Sequence, residues 1–339
     1  TAGPLCEMVR GVKYILILSL ALSALGVSAA ERPNILIIFT DDQGYADLGC
    51  YGNTKNKTPR MDRLAKEGTR FTSFYAQSVC GPSRSALLTG RYPFRSQGWG
   101  MPASEITFAE LIREAGYQTA CIGKWDVSNR KPIIERMPNA QGFDYYFGPL
   151  GANDGGVVKF HENNEAAGSS RDMGSLSTLY TDKAIDFLEN KRDKDKPFVL
   201  YVAHTMMHTI IGASERFRGT SAGDLYGDVV EEFDYETGRL LDALDKLGLS
   251  KDTLVIYTSD NGPWVETTRA MKPGGSPFIP RDHSGSAAPL RGWKMSAWEG
   301  GSRVPCIVRW PNKVPRGRSS DQLLSTMDLL PTFAALSGA

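Results

Sequence analysis

The sequence predicts an α/β fold in which helices flank a mainly parallel sheet. Five continuous apolar runs are typical of strands that are buried on both faces; they lie at Asn34–Thr40, Gln118–Gly123, 197–203, 253–258 and 304–310. Helical patterns occupy the segments between and after these runs, at Pro59–Glu67, 82–88, 107–114, 175–191, 224–247 and 326–336. Strands that alternate with helices along a chain favour parallel pairing, because each helix carries the chain back across the sheet.

Two of the later elements have clear signatures. The helix predicted at 224–247 is amphipathic, with apolar residues at positions 229, 233, 240, 241, 244 and 247. The segment 264–289 is rich in Gly, Pro and Ser and is predicted to be a long loop. Loops of this length in compact domains are often functional. Its His283 is interpreted as a solvated loop residue, with contact to a substrate as the alternative.

Charge and cysteine content exclude two classes of protein. The chain of 339 residues carries 39 Lys and Arg against 38 Asp and Glu, a net charge of +1. This balance argues against an electrostatic nucleic-acid binder. Five cysteines are too few for a scaffold held by disulfides. Two interpretations remain open for Cys50, Cys121 and Cys306. Either two of them form a disulfide and the third is a buried thiol, or all three are buried thiols.

Residues 1–30 have the three-part pattern of a secretory signal. Met8 is followed by the basic residues Arg10 and Lys13, and the apolar run YILILSLALSALGV spans 14–27. Small residues follow, so cleavage is expected near Ala29 or Ala30. The alternative is an uncleaved membrane anchor, although the apolar run is short for a bilayer span. We therefore expect an exported protein without a stable membrane anchor, in a periplasmic, extracellular or lysosome-like compartment.

Acidic side chains follow two of the predicted strands. Asp41 and Asp42 come after the strand Asn34–Thr40, and Asp260 and Asn261 come after the run at 253–258. Ligands in open α/β sheets bind outside the carboxyl ends of the strands. Oxygen-bearing side chains gathered there are typical ligands of Ca²⁺ or Mg²⁺. The alternative for each pair is an ordinary turn or a helix cap.

Cys80 begins the segment CGPSRSALLTGR, and Pro82 marks the first turn of a helix. A side chain at the N-terminus of a helix is in a site that favours an anion. These residues alone predict a nucleophilic Cys80 with a low pKa beside Arg84. The alternative is a buried structural cysteine.

The segment CGPSRSALLTGR resembles the signature of the type I sulfatases, in which the Cys of C-x-P-S-R is oxidised after translation to formylglycine. The resemblance extends through nearly all of residues 32–339. The other matching segments are RPNILIIFTDDQGYADLGCYGN from residue 32, GKW at 123–125, YVAHTMMH at 201–208, SDNG at 259–262, LRGWKMSAWEGGSRVPCIVRWP at 290–311 and DLLPTFAAL at 328–336. It implies the alkaline-phosphatase-like α/β fold, with a mixed, mainly parallel sheet flanked by helices. Residues 31–339 would be the N-terminal domain of the family, with the small C-terminal subdomain largely absent.

The resemblance also implies a site. Asp41, Asp42, Asp260 and Asn261 would hold one divalent cation, Ca²⁺ with Mg²⁺ as the alternative, and position 80 would add an oxygen ligand and the nucleophile. A formylglycine-generating enzyme would convert Cys80 during maturation. The sulfate oxygens would be bound by three donors, namely Lys124, His208 and Lys294. Arg84 would stabilise the aldehyde hydrate.

One departure from the family pattern concerns Asp126. The family usually has His directly after GKW, and this His assists the release of sulfate by taking a proton from position 80. In this chain Asp126 stands there, and we interpret it as a replacement base. The alternative is a structural acid with weakened activity. A second departure, Thr and Ile after His208, affects the loop more than the chemistry.

The function expected from these observations is hydrolysis of sulfate monoesters, either sulfated carbohydrates or aryl sulfates. Two alternatives stay open at this point. One is a phosphate or phosphonate monoester hydrolase of the same superfamily. The other is a non-catalytic binder of sulfated glycans, for which Asp126 is the support. Arg95, Trp99 and Trp125 are candidates for a rim that contacts sugar, with packing as the better interpretation of Trp125.

Overall fold

The structure is a computed structural model that describes residues 32–265 and 284–339. The predicted signal at 1–30 lies outside the described residues, as do His283 and most of the predicted loop. Among the described residues, no helix has both the length and the apolar character that a bilayer span requires.

In the described residues, eleven strands form a single sheet. They are β1 (Asn34–Thr40), β2 (Thr69–Tyr75), β3 (Gln118–Gly123), β4 (Tyr145–Gly148), β5 (Val158–Glu162), β6 (Glu165–Ser170), β7 (Phe198–Ala203), β8 (Thr253–Ser259), β9 (Arg303–Arg309), β10 (Arg318–Ser320) and β11 (Leu324–Ser325). Their order is β10-β2-β9-β8-β1-β7-β3-β4-β5-β6, and β11 also pairs with β2.

The centre of the sheet is parallel and its flanks are mixed. The strands β8, β1, β7, β3 and β4 run parallel to one another. The strand β9 runs antiparallel to both β8 and β2, and β5 and β6 continue the other edge as antiparallel strands. Phe39 in β1 lies opposite Ala203 in β7 and Thr258 in β8. The carboxyl ends of these three strands are therefore level.

Helices connect these strands. The α-helices are α1 (Pro59–Glu67), α2 (Cys80–Thr89), α3 (Pro93–Ser96), α4 (Phe108–Glu114), α5 (Leu176–Asp186), α6 (Asp224–Lys246), α7 (Glu299–Ser302) and α8 (Leu329–Ser337). Short 3-10 turns lie at Gly49–Tyr51, Ile134–Arg136, Met173–Ser175, Ser250–Asp252 and Thr326–Asp328, and a π-helical turn at Phe187–Lys191 extends α5.

The sheet separates two apolar cores, and β1 contributes to both because its side chains alternate between the faces. Leu36 and Ile38 lie in the core covered by α1, α5 and α6. Ile35, Ile37 and Phe39 lie in the core covered by α2, α4 and α8. Both faces of the central strands are buried, which explains why their sequences are continuous apolar runs.

The predicted fold class is confirmed. Six of the described strands were not predicted from the sequence, because they are polar, half-buried or short. The five apolar runs correspond to β1, β3, β7, β8 and β9, although β9 is antiparallel. The strand β2, with the sequence TRFTSFY, was not predicted because its polar side chains are mostly half-buried. The strands β4–β6 and β10–β11 were missed because they are short or polar.

Candidate active site

The carboxyl ends of four parallel strands and the N-terminus of α2 meet at one place in the fold. All the site residues predicted from the sequence are buried there. Asp41 and Asp42 follow β1, Lys124 and Asp126 follow β3, His208 follows β7, and Asp260 and Asn261 follow β8; Cys80 and Arg84 lie on α2, and Lys294 lies in the loop before α7.

Backbone hydrogen bonds join the strand ends. The Asp41 amide donates to the Met206 carbonyl at 3.0 Å, and the Asp260 amide donates to the Thr40 carbonyl at 3.1 Å. Asp42 has a φ of 59°, a left-handed conformation that Asp tolerates better than most residues. Its amide donates to Asp260 Oδ1 at 3.2 Å. The acidic pairs after β1 and β8 are therefore fixed against each other.

Close packing at the end of β3 fixes the backbone that leads to Lys124. Gly123 has a φ of 108°, and a Cβ at this position would collide with the carbonyl of Ala203. The Lys124 amide donates to the same carbonyl at 2.6 Å. Glycine is thus required directly before this lysine, because any other residue would separate β3 from β7.

Four side chains offer metal-ligating atoms that lie within 4.8 Å of one another, namely those of Asp41, Asp42, Cys80 and His208. Asn261 joins this group because its Nδ2 donates to Asp42 Oδ1 at 2.7 Å. Asp260 is held to it through the Asp42 amide. His208 was predicted from the sequence to bind sulfate, and the structure also places it among the candidate ligands.

Two buried oxygens in this group accept no hydrogen bond among the described residues: Asp42 Oδ2 and Asn261 Oδ1. A buried acceptor without a donor is costly, whereas a hard cation binds such oxygens directly. The residues present therefore fit a Ca²⁺ or Mg²⁺ ion.

Two lysines contact the acidic group, Lys124 at the end of β3 and Lys294 in the loop before α7. Lys124 Nζ lies 2.7 Å from Asp41 Oδ2, and Lys294 Nζ lies 2.6 Å from Asp42 Oδ1. Lys294 Nζ is also 3.2 Å from the Cys80 sulfur. Burial by itself lowers the pKa of Lys294, but Asp42 together with the other negative groups around the lysine outweighs burial, so the pKa lies well above the usual value. Both lysines can therefore present positive charge to an anion at Cys80.

The carboxyls of Asp41 and Asp260 respond differently to their shared environment. Burial raises the pKa of Asp41, but the charge of Lys124, with those of His208, Arg84 and Lys294, holds this pKa well below the usual value. Burial also raises the pKa of Asp260, and the neighbouring Asp41 raises it further, to about 8. A bound cation would favour the charged form of both groups.

Arg84 is buried behind the acidic group. It donates from Nη2 to Asp260 Oδ2 at 2.9 Å and from Nη1 to the Lys124 carbonyl at 3.0 Å. Its Nη2 lies 3.5 Å from Asp41 Oδ2. Among the described residues it forms no hydrogen bond with Cys80. Arg84 thus holds three strand ends in place, and its predicted action on the hydrate stays a prediction.

The prediction of a low-pKa thiol at Cys80 is wrong. Cys80 is the first residue of α2, but burial raises the pKa of its thiol well above the usual value, and Asp41 raises it further. The sulfur lies 3.4 Å from Asp41 Oδ1. The favourable helix N-terminus is therefore outweighed, and the thiol itself is not an activated nucleophile.

His208 is oriented by its own loop. Its Nδ1 lies 2.5 Å from the Thr209 carbonyl, which assigns a proton to Nδ1. Its Nε2 faces two carboxylates, with Asp42 Oδ2 at 3.8 Å and Asp154 Oδ1 at 3.5 Å. His204 differs, because it is packed against Tyr180 and Phe233. Burial lowers its pKa to about 3, as expected of a core histidine.

Asp126 is held by three neighbours. Its Oδ2 accepts a hydrogen bond from Trp99 Nε1 at 3.1 Å and lies 3.4 Å from Lys124 Nζ. Its Oδ1 accepts from Arg130 Nε at 2.8 Å. Among the hydrogen bonds of the described residues, none joins Asp126 to Cys80. The predicted base therefore belongs to an ion-pair network.

The sequence did not indicate two members of this network. Arg130 Nη1 lies 2.7 Å from Asp154 Oδ2, and Asp154 in turn lies beside His208. The spacing of Asp126 and Arg130, four residues apart, would indicate an ion pair on a helix, but this segment is not helical. Asp154 lies in the loop between β4 and β5, where the sequence gives no periodic signal.

Other predicted positions have simpler roles. Trp125 is buried and donates to the Arg136 carbonyl at 2.8 Å, in agreement with packing. Trp99 is 41% exposed, so its ring is available at the mouth of the site. The four described cysteines, Cys50, Cys80, Cys121 and Cys306, are free thiols.

The chain is similar to known proteins over most of its length. The family model described as Sulfatase matches residues 33–339. The chain is 35% identical to an N-acetylgalactosamine-6-sulfatase of Rattus norvegicus over 97% of the chain and 67% of that relative. It is 32% identical to a steryl-sulfatase of Homo sapiens over 92% of the chain and 67% of that relative. The chain thus spans about two thirds of the length of both curated relatives.

A solved structure is similar as well. The crystal structure of Ps i-CgsB in complex with k-i-k-neocarrahexaose superposes with a TM-score of 0.79 and 30% identity. The match covers 91% of this chain and 72% of that one.

Proposed function

The chain belongs to the sulfatase family, and from this premise we propose that it hydrolyses sulfate monoesters at the site around Cys80. The observation that carries the proposal is the convergence of Cys80, Lys294 and the Asp41–Asp42 pair within hydrogen-bonding distance. A sulfate ester is an anion, so its reaction needs cationic groups and donors around the nucleophile.

A divalent cation is part of this proposal. Asp41, Asp42, Asp260, Asn261 and position 80 would hold it, and the unpartnered oxygens of Asp42 and Asn261 support this ligand set. Among hard cations we propose Ca²⁺, with Mg²⁺ as the alternative. Such an ion supplies positive charge that acidifies a bound hydroxyl and stabilises charge on the sulfate oxygens.

Cys80 is proposed to become formylglycine, by an oxidant that a formylglycine-generating enzyme supplies. The raised pKa of the buried thiol makes the unmodified side chain a poor nucleophile, so this proposal assigns the attack to the modified side chain. The hydrated aldehyde supplies two hydroxyl groups on one carbon, one to attack sulfur and one whose deprotonation later expels sulfate and restores the aldehyde. A serine would lack the second group.

The protein side chains have distinct tasks in this proposal. Lys124 and Lys294 bind sulfate oxygens and offset the charge of the ester. His208 or Lys294 donates a proton to the leaving alcohol oxygen as its bond to sulfur breaks; the Nε2 atom of His208 is free of the backbone contact that holds Nδ1. Asp126 is the proposed acceptor of the hydroxyl proton in the release step.

We propose a sulfated carbohydrate as the substrate. The names of the relatives include a sulfatase of N-acetylgalactosamine and a structure with a bound neocarrahexaose, in support of this class. The half-exposed indole of Trp99 supports it too, because aromatic rings with one polar edge pack well against sugar rings. A steryl-sulfatase among the relatives makes an apolar alcohol the alternative.

Export is proposed from the pattern of residues 1–30. The basic residues Arg10 and Lys13 precede the apolar run, and small residues follow it. Measurement of the N-terminal residue of the secreted protein tests this proposal, with Ala30 or Glu31 as the expected start.

Two measurements test the activity. Mass spectrometry of the peptide that contains Cys80 should show a loss of about 18 Da relative to the thiol; an unmodified Cys80 in active protein would contradict the mechanism. Rates on nitrophenyl sulfate and nitrophenyl phosphate should favour the sulfate. A clear preference for phosphate would support a phosphate or phosphonate hydrolase, and tight binding of sulfated glycan without turnover would support a non-catalytic binder.

A further inference from the structure

We propose that Arg130 and Asp154 are positioning residues that join two of the sulfate-binding groups, Lys124 after β3 and His208 after the neighbouring strand β7, into one ion network. This inference rests on the proposed function, since it concerns the same site. It assigns roles to two residues outside the motifs of the family signature.

The network is continuous, and basic side chains alternate with carboxylates along it. Lys124 Nζ lies 3.4 Å from Asp126 Oδ2, and Asp126 Oδ1 accepts from Arg130 Nε at 2.8 Å. Arg130 Nη1 lies 2.7 Å from Asp154 Oδ2, and Asp154 Oδ1 lies 3.5 Å from His208 Nε2. Arg130 is thus the central member, with one carboxylate on each side.

The backbone around Arg130 is shaped for this contact. Asp126, Asn129 and Arg130 all have φ values between 55° and 58°, in a region that non-glycine residues seldom adopt. The Asn129 amide donates to the Trp99 carbonyl at 2.7 Å, and Ser128 forms a bridge with Gly100. The side chain of Arg130 lies against Gly151, where an added Cβ would approach its Cδ to 3.1 Å.

The residue before Asp154 is fixed to the histidine loop. Asn153 Nδ2 donates to three carbonyls of that loop, those of Thr205, His208 and Ile210, at 3.3 to 3.4 Å. Asp154 is therefore carried on the same support as His208. The Arg130 guanidinium then ties this support to the segment that follows β3.

The chemistry explains why an arginine is needed at the centre. Asp126 and Asp154 each lie beside a group that should bind sulfate, and without a cation between them they would attract Lys124 and His208 more strongly. The guanidinium occupies both carboxylates at once through Nε and Nη1, which a single ammonium group cannot match. Arg130 thus keeps Lys124 and His208 available to the substrate.

If Arg130 and Asp154 only stabilised the fold, removal of their ion pair should affect the protein no more than removal of a similar pair away from the site. The side chains of Arg130 and Asp154 are 42% and 39% exposed, and an ion pair with this exposure contributes little to folding. Arg130 also pairs with Asp126, which is fully buried, so Asp154→Asn is the variant that removes the exposed pair alone. A matched control exists in Arg60 and Asp242, whose side chains are 33% and 38% exposed and whose Nη2 and Oδ2 atoms are 2.9 Å apart. This pair joins α1 to α6, away from the site.

The experiment compares Arg130→Gln, Asp154→Asn and Arg60→Gln in the full chain. We expect kcat to fall about 10- to 100-fold in the first two variants, with KM changed by less than about 3-fold, because the transition state depends on the alignment of both donors. Arg60→Gln should keep both constants. Unchanged kcat in Arg130→Gln would overturn the proposal; if that variant does not fold, unchanged kcat in Asp154→Asn decides in the same way.

A second readout does not need turnover. The chain has four histidines, so the imidazole NMR signals of His208 can be assigned with a His208→Gln variant. We expect these signals to move in Arg130→Gln but not in Arg60→Gln. Unmoved signals would overturn the proposal whatever happens to kcat. An inactive wild type with moved signals would instead indicate failure of the proposed function and leave the network supported.

Discussion

Arg84 and Asp260 form an ion pair in which both side chains are fully buried, with Nη2 and Oδ2 2.9 Å apart. The same guanidinium also donates to the carbonyls of Lys124 and His204. The end of β8 is thereby joined to the ends of β3 and β7. The pair also holds Asp42 in position, because Asp260 Oδ1 accepts a hydrogen bond from the Asp42 amide.

We predict that Arg84→Lys destabilises the protein by about 3–5 kcal/mol, because one ammonium cannot reach all these acceptors and leaves buried groups unpaired. Urea denaturation measures this change. The control is Arg239→Lys, since Arg239 forms ion pairs with Asp182 and Glu236 while one third exposed. That variant should lose less than about 1 kcal/mol. Equal losses in the two variants would contradict the importance of burial.

Removal of the proposed cation should lower stability, because the oxygens of Asp42 and Asn261 that would bind it are then left without partners. We predict that Ca²⁺ at about 100 times its dissociation constant raises the free energy of unfolding by about 2.7 kcal/mol. In Asp42→Asn this increment should largely disappear, even if the variant without metal is more stable than the wild type. Asp182→Asn, a change at an exposed acid, should keep it. Thermal melts with Ca²⁺ and with a chelator make the comparison.

The function of Asp126 can be separated from its place in the network. We predict that Asp126→Asn lowers kcat by about 10²–10⁴ if its carboxylate takes the proton in sulfate release, while binding of a sulfated ligand is largely kept. Asp126→His introduces the residue that the family usually has, and a base role predicts that much of the rate is kept. If kcat is as low in Asp126→His as in Asp126→Asn, Asp126 does not act as the base and acts through Arg130 and Lys124 instead.

The sequence was informative about this site wherever a motif follows a buried strand. The runs that became β1, β3, β7 and β8 are buried on both faces, so their apolar sequences were clear. Because the carboxyl ends of parallel strands meet, the convergence of Asp41 and Asp260 could be expected from the strands alone. Lys124 and His208 were expected at the same place only from the resemblance to the family.

Two features of the site could not be obtained in this way. Arg130 and Asp154 lie in loops, where left-handed backbone and hydrogen bonds between distant loops decide which side chains meet. The predicted direction of the pKa shift of Cys80 was wrong for an energetic reason. A helix N-terminus favours an anion by about 0.3–1 kcal/mol, whereas full burial shifts a pKa by up to 3–5 units, and Asp41 acts in the same direction.

Asp234 lies on α6 and supports the start of α1. Its Oδ1 accepts from the Met61 amide at 2.8 Å and its Oδ2 accepts from the Arg60 amide at 3.1 Å. Burial raises its pKa to about 7, although the two amide donors oppose this change. Between the ordinary value near 3.8 and about 7, the folded state therefore holds a proton that the unfolded state has lost.

Stability from this group is present at low pH and decreases as the pH rises through about 7. The folding free energy of the wild type should contain a contribution that is about 2–3 kcal/mol smaller at about pH 8 than at about pH 5. Asp234→Asn removes the titration, so the difference in stability between the variant and the wild type should shift by this amount in favour of the variant. Urea denaturation of both proteins at the two pH values measures it. A difference that does not change with pH would show that Asp234 is already ionised in the folded protein at pH 5.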